Sequence, residues 1–211
     1  MDAYITGLMA RAILDSRGNP TVEVECFVDG SLMSRAAVPS GASTGSHEAV
    51  ELRDGGDLWH GSGVEKAVKN VNTVLRDVLV GNDVSDQEAI DELLIEADGS
   101  ENKSIMGANA ILGCSMAAFR ASSLAKGVPL WQNLPGTWPD PSLPVPLMNI
   151  LNGGAHASTN VDVQEFMVVP YGFPDFDSAL RAGTETYHAL KKTLGEKGLL
   201  GGIGDEGGFA P

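Results

Sequence analysis

Val22, Val24, Cys26 and Val28 stand on one side of a period-two pattern, with Glu23, Glu25 and Phe27 on the other, before an Asp29-Gly30 pair. Such alternation specifies a pleated strand with one buried face, and Asp-Gly is a two-residue hairpin signal. Ser31 to Val38 is expected to return beside it. Ile5 to Leu14 supplies a third strand, closed by the turn-rich Asp15-Ser16-Arg17-Gly18-Asn19-Pro20. Pro39 ends this antiparallel meander and introduces a loop of small residues, Ser40 to Gly45.

From Gly63 the period changes. Val64, Ala67, Val68, Val71, Leu75, Val78 and Leu79 recur as one face of a helix that stops at Gly81. Ser85 with Glu88 three residues on reads as a capping box for a second helix, with Ile90, Leu93, Leu94 and Ala97 inward. A third helix, Met106 to Lys126, carries Ile111, Leu112, Ser115, Met116 and Phe119 at helical spacing and ends at Gly127. Its many small residues predict close packing on a neighbour. Strands followed by helices describe an α+β domain, residues 1–135.

Pro135, Gly136, Pro139, Pro141, Pro144 and Pro146 mark a connection, placed at 136–143, after which a new unit begins at residue 144. Val145 to Leu151 and Phe166 to Val169 read as buried strands. Phe176 to Leu194 reads as a helix with Ala179, Leu180, Gly183, Tyr187, Leu190 and Leu194 on or near one face.

Across 211 residues, 28 acidic against 14 basic side chains give a formal charge of −14. That field opposes attraction to nucleic-acid phosphates, so no nucleic-acid partner is expected. Cys26 and Cys114 each fall inside an apolar pattern, which suits reduced thiols in the cytoplasm. The acidic N-terminus offers no export signal, and no apolar run approaches the roughly 18 residues of a membrane span.

Four segments can carry chemistry. Ser40-Gly41-Ala42-Ser43-Thr44-Gly45 offers backbone amides and hydroxyls to an oxyanion or a metal-bound ligand, although alone such a loop is more often an ordinary turn. Asn149-Ile150-Leu151-Asn152-Gly153-Gly154-Ala155-His156 puts an imidazole after a strand and a Gly-Gly turn. Val161-Asp162-Val163-Gln164-Glu165-Phe166 sets polar groups at the entrance of an apolar strand. Gly204-Asp205-Glu206-Gly207-Gly208 flanks two acids with glycine, and a carboxyl group held at such a turn can act as general acid or base.

With Ala12 to Val24, Val38 to Gly45, Gly107 to Gly113, Met148 to His156 and Gly204 to Pro211 in this order, the chain resembles the enolase family, the glycolytic phosphopyruvate hydratases, over essentially its whole length. The resemblance implies a TIM-type β/α barrel after the first domain and the Mg²⁺-dependent, reversible dehydration of 2-phosphoglycerate to phosphoenolpyruvate. It implies Glu206 as the general acid and Glu165 as its partner carboxylate, with His156 and Gln164 in the substrate pocket. Ser43 is implied on the loop that closes over the site and ligates a second Mg²⁺. Pairing into a homo-oligomer through the N-terminal domain is implied as well.

A closed barrel typically needs about 250 residues, and Pro144 to Pro211 is far shorter. The expectation is therefore a truncated barrel lacking the lysine base, the phosphate-binding arginine and the main Mg²⁺ carboxylates, and a chain inactive by itself. Lys191, Lys192 and Lys197 fall on or just past a helix. The alternatives are a non-catalytic interaction or assembly module made from such a half, and an enolase-superfamily relative acting on another carboxylate substrate. The latter fits less well, because the Ser43 and Glu206 segments follow the enolase pattern.

Overall fold

The computed structural model describes residues 3–41, 45–136, 141–157, 160–204 and 206–211. The chain divides into two compact units, Met1–Gly136 and Thr137–Pro211.

In the first unit β1 (Ile5–Leu14), β2 (Pro20–Val28) and β3 (Ser31–Ala37) form an antiparallel meander. Two local devices set its register. The Asp15 carboxylate accepts from the backbone N–H groups of Arg17 and Asn19 at 2.9 and 2.8 Å, closing the first turn. At the second, Asp29 and Gly30 both take positive φ, 50° and 79°, whose twist suits a tight hairpin. The resulting pairs Ala10↔Val24 and Val24↔Ala36 stack apolar side chains on one face. Val22, Val24 and Cys26 are all 0% exposed, and each valine so buried contributes about 1.5–3 kcal/mol against leaving it in water.

The helices cover that face. α1 (Glu65–Asn70) runs through a π-helical turn, Val71–Leu75, into α2 (Arg76–Leu79). The π turn sets Asn72 against the edge of β1, where its side chain accepts from Ala10 N–H at 2.7 Å and donates to Ala10 C=O at 3.1 Å. An edge strand is thereby satisfied by a side-chain amide in place of another strand.

α3 (Gln87–Asp98) begins one residue later than the capping box predicts. Asp86, rather than Ser85, accepts from Ala89 N–H at 3.1 Å, while Ser85 N–H is held by Asp83. Inside the helix Ile90 and Leu94 are fully buried.

α4 (Ala108–Lys126) ends at Gly127, whose φ of 67° makes the left-handed cap. Its buried face is not the large apolar one. Gly113, Cys114, Ala117, Ala118 and Ala121 are buried, whereas Leu112 is 41% exposed. Space decides this: a Cβ on Gly113 would stand 2.6 Å from Val24 Cγ2 and 3.1 Å from Val38 Cγ2. Ser34 Oγ also reaches across to donate to Ala117 C=O at 2.6 Å. Burial pushes the Cys26 thiol up to about 12 and raises that of Cys114 too, so both free cysteines behave as small hydrophobes.

In the second unit β4 (Met148–Asn152) pairs antiparallel with β5 (Glu165–Val168), followed by α5 (Phe176–Glu196), β6 (Gly202–Ile203) and β7 (Phe209–Ala210). The sheet order is β5-β4-β7-β6, with β4 and β7 parallel. These strands form an open sheet and no closed barrel, and the β4–β5 pair departs from an all-parallel arrangement.

β5 lies at the edge of the sheet among the described residues, and Phe166 and Met167, which point to its opposite faces, are 45% and 48% exposed rather than buried as their composition suggests. α5 is capped by Asp175, which accepts from Ser178 N–H at 2.7 Å. Its Gly183 admits the Met148 thioether, and its Tyr187 ring stacks on Phe209 at 4.4 Å. Ala179 and Leu194 are buried, whereas Leu180 points away. Among the described residues no helix is long and apolar enough to cross a membrane.

Candidate functional site

The second unit brings four of the five expected site residues together. β4 ends at Asn152, and Gly153 follows where the backbone of the next loop passes so closely that a Cβ would collide with the carbonyl oxygens of Val161 and Val163. Gly153 N–H donates to Gln164 C=O at 3.0 Å and Gly154 N–H to Val161 C=O at 2.7 Å. These bonds fold a 3₁₀ turn, Gly154–His156, that carries the His156 ring to a position only 7% exposed.

Glu165 opens β5 opposite Asn152, and its Oε1 lies 3.2 Å from His156 Nδ1. The preceding Gln164 holds the other ring nitrogen, Nε2 to Nε2, at 2.8 Å. Glu206 rides the turn between β6 and β7, closed by Gly204 N–H to Gly208 C=O at 2.8 Å and Gly207 N–H to Gly204 C=O at 3.0 Å. Its Oε1 stands 3.7 Å from His156 Nδ1. His156, Glu165 and Glu206 thus offer one nitrogen and two oxygens, all within 4.8 Å of one another. Ser43, like Asp205, lies outside the described residues. The stem of its loop is tied down by Arg17, which donates to Ser40 C=O at 2.9 Å, and by Arg53, which bridges Ser40 Oγ and Glu51.

Two asparagines complete the arrangement, neither given a role by sequence reasoning. A β-bulge at Ile150 shifts the β4 register, so that Asn149 faces Met167 and Asn152 faces Glu165. Met167 and Glu165 are two apart on β5, and the bulge therefore brings Asn149 and Asn152 onto one face, which a three-residue spacing in a regular strand would not do. Asn149 Nδ2 donates to Glu206 Oε2 at 3.0 Å. Asn152 is 0% exposed, with neither side-chain atom hydrogen-bonded among the described residues. It is packed by Gly204 and Gly208, where a Cβ on Gly204 would stand 2.9 Å from Asn152 Cβ and one on Gly208 would overlap Asn152 Oδ1.

Two full negative charges no more than 4.8 Å apart repel by at least about 1 kcal/mol in water-like surroundings and at least about 3.5 kcal/mol at an effective dielectric of 20. The Asn149 donor behind Glu206 offsets part of this. Such a set can bind a polar anion through Gln164 and His156, pass a proton through a carboxyl group, or hold a cation.

A family model described as the N-terminal domain of enolase matches residues 5–134. A second, described as the C-terminal TIM barrel domain of enolase, matches residues 140–211.

Proposed function

The chain belongs to the enolase family, and from that premise we propose that it supplies part of the active site of a phosphopyruvate hydratase, the lyase that interconverts 2-phosphoglycerate and phosphoenolpyruvate. The support that carries this reading is the convergence of His156, Glu165 and Glu206 within 4.8 Å. A hydroxyl group is a poor leaving group unless it is protonated as it departs. Glu206 is assigned that proton delivery, with Glu165 beside it as partner carboxylate. His156 and Gln164 are assigned to substrate binding, and Ser43 to the closing loop.

Taking the proton beside the substrate carboxylate needs a base, for which no lysine of the second unit is suited. Lys191 and Lys192 lie on α5, and Lys197 caps its end. The base and the phosphate-binding arginine are accordingly assigned to a further part of the barrel, and the 211 residues by themselves to an inactive portion.

The cluster does not fit Mg²⁺, a hard ion that takes near-octahedral oxygen donors and keeps several waters. One of the three donors here is an imidazole nitrogen. The Mg²⁺ on which the family's reaction depends is therefore assigned to oxygen donors outside this cluster, with Ser43 serving a second ion. Residues 1–135 are assigned as the N-terminal domain and the surface of a homodimer, 136–143 as the connection, and 144–211 as the start of the barrel, in a cytoplasmic glycolytic enzyme.

The test follows phosphoenolpyruvate absorbance from 2-phosphoglycerate with Mg²⁺, for the 211-residue chain alone and joined to the remaining barrel of an enolase. The joined protein turns over and the chain alone does not. Failure of the joined, folded protein to turn over contradicts the assignment.

A further inference from the structure

We propose that the free edge of β3, with the cleft beside it, takes an extended acidic segment of a partner protein as a fourth strand. The two edges of the meander are finished differently. The outer edge of β1 is closed by the Asn72 amide, whereas β3 is paired on one side only, with β2. Val38 N–H turns inward to Val22 C=O, so by the alternation of an antiparallel ladder the backbone groups of Arg35 and Ala37 turn outward. In keeping with this, Arg35 C=O accepts from Arg120 Nη1 at 3.3 Å, outside the β2 ladder. Both residues are exposed, and such a row of open N–H and C=O groups is a template for another strand.

The surroundings of that edge set the chemistry of the segment. A cleft of about 630 Å³ opens beside Arg35, walled by Leu124 near the end of α4 and by Val128 and Leu130. It suits one apolar side chain of an added strand. The charged groups lining it, Arg35 and Arg120, are both basic, in a chain of formal charge −14. Among the described residues Arg120 enters no ion pair, and Arg35 makes only a long one, 3.8 Å to a Glu23 that Arg11 already holds at 2.7 Å. An incoming strand replaces the long guanidinium bond at Arg35 C=O with its own amide and gives Arg120 a carboxylate, a stronger partner than a carbonyl. A second copy of this chain fits less well, because β3 laid against β3 sets Arg35 and Arg120 of both copies together. Such docking stands apart from the catalytic role assigned above.

The test titrates the 211-residue chain, at physiological salt so that remote charges are screened, with a fluorescein-labelled, capped peptide that has one valine at the centre of a run of glutamates. Saturable binding by anisotropy is expected, with slowed exchange of the Arg35 amide and NMR shifts gathered on β3, Leu124 and Val128. Arg120→Glu, at an exposed position where melting should not change, is expected to weaken binding more than tenfold. N-methylation of the two glutamates beside the valine, whose N–H groups face β3 when the valine faces the cleft, should abolish binding while keeping every side chain. No saturable binding, equal binding of the N-methylated peptide or of one with lysines for glutamates, undiminished binding by Arg120→Glu, or an Arg35 amide already protected in a homodimer overturns the proposal.

Discussion

Asn149 donates its side-chain amide to Glu206 across 3.0 Å, tying the middle of β4 to the turn between β6 and β7. The bond fixes one carboxylate oxygen and leaves the other facing His156. Because Asn149 reaches this position only through the bulge at Ile150, strand register and site geometry are one feature here.

Asn149→Ala should free that turn. Exchange of the Gly207 amide, bonded to Gly204 C=O at 3.0 Å, is expected to quicken, while global stability falls by about 1 kcal/mol or less. Hydrogen exchange read by NMR checks this, and unchanged protection at Gly207 counts against the tie.

Gly113→Ala weighs two opposing effects. Alanine gains about 1 kcal/mol of helix propensity, but its Cβ would sit 2.6 Å from the stiff Val24 side chain in a filled core, an overpacking that typically costs about 1–3 kcal/mol. The net expectation is a loss of roughly 1 kcal/mol in urea unfolding of the first unit, and a stabilised variant refutes the close-packing account of α4.

Asp98 sets an acid limit on stability. Burial raises its proton affinity, but the Ser100 hydroxyl and the backbone N–H groups of Met106, Ser100 and Ile105 outweigh this and hold its carboxyl below the ordinary value of 3.8. A group whose pKa is lower when folded contributes stability above its unfolded pKa and loses it as pH falls through the folded one. Stability should therefore decline as the pH drops below about 4–5. Asp98→Asn should cost about 2 kcal/mol at pH 7 and flatten that decline, which denaturant melts from pH 7 to 3 would measure. A variant with an unchanged acid limb contradicts the assignment.

Much of the first unit is legible in the chain because its signals are local. Valine alternation and the Asp29-Gly30 pair define the meander, and Gly127 ends α4. The inward face of α4 is harder, since hydrophobic spacing favours Ile111, Leu112 and Met116 while the space available beside Val24 admits only small residues. Asp86 displaced Ser85 as a cap because either residue suits that role, and Asp83 claimed the serine backbone. In the second unit His156, Gln164, Glu165 and Glu206 stood out through their glycine and strand-end contexts. Asn149 and Asn152 did not, because the bulge that aligns them leaves no mark in a short polar-apolar run. The exposure of Phe166 and Met167 depends on what packs over the two faces of β5, which a four-residue apolar run does not show by itself.

Glu206→Gln tests the central claim most directly. In the chain joined to the remaining barrel, loss of a general acid should lower 2-phosphoglycerate dehydration by about 10²- to 10⁴-fold while the fold and substrate binding persist. A near-normal rate in that variant, or turnover by the 211 residues alone, would contradict the account.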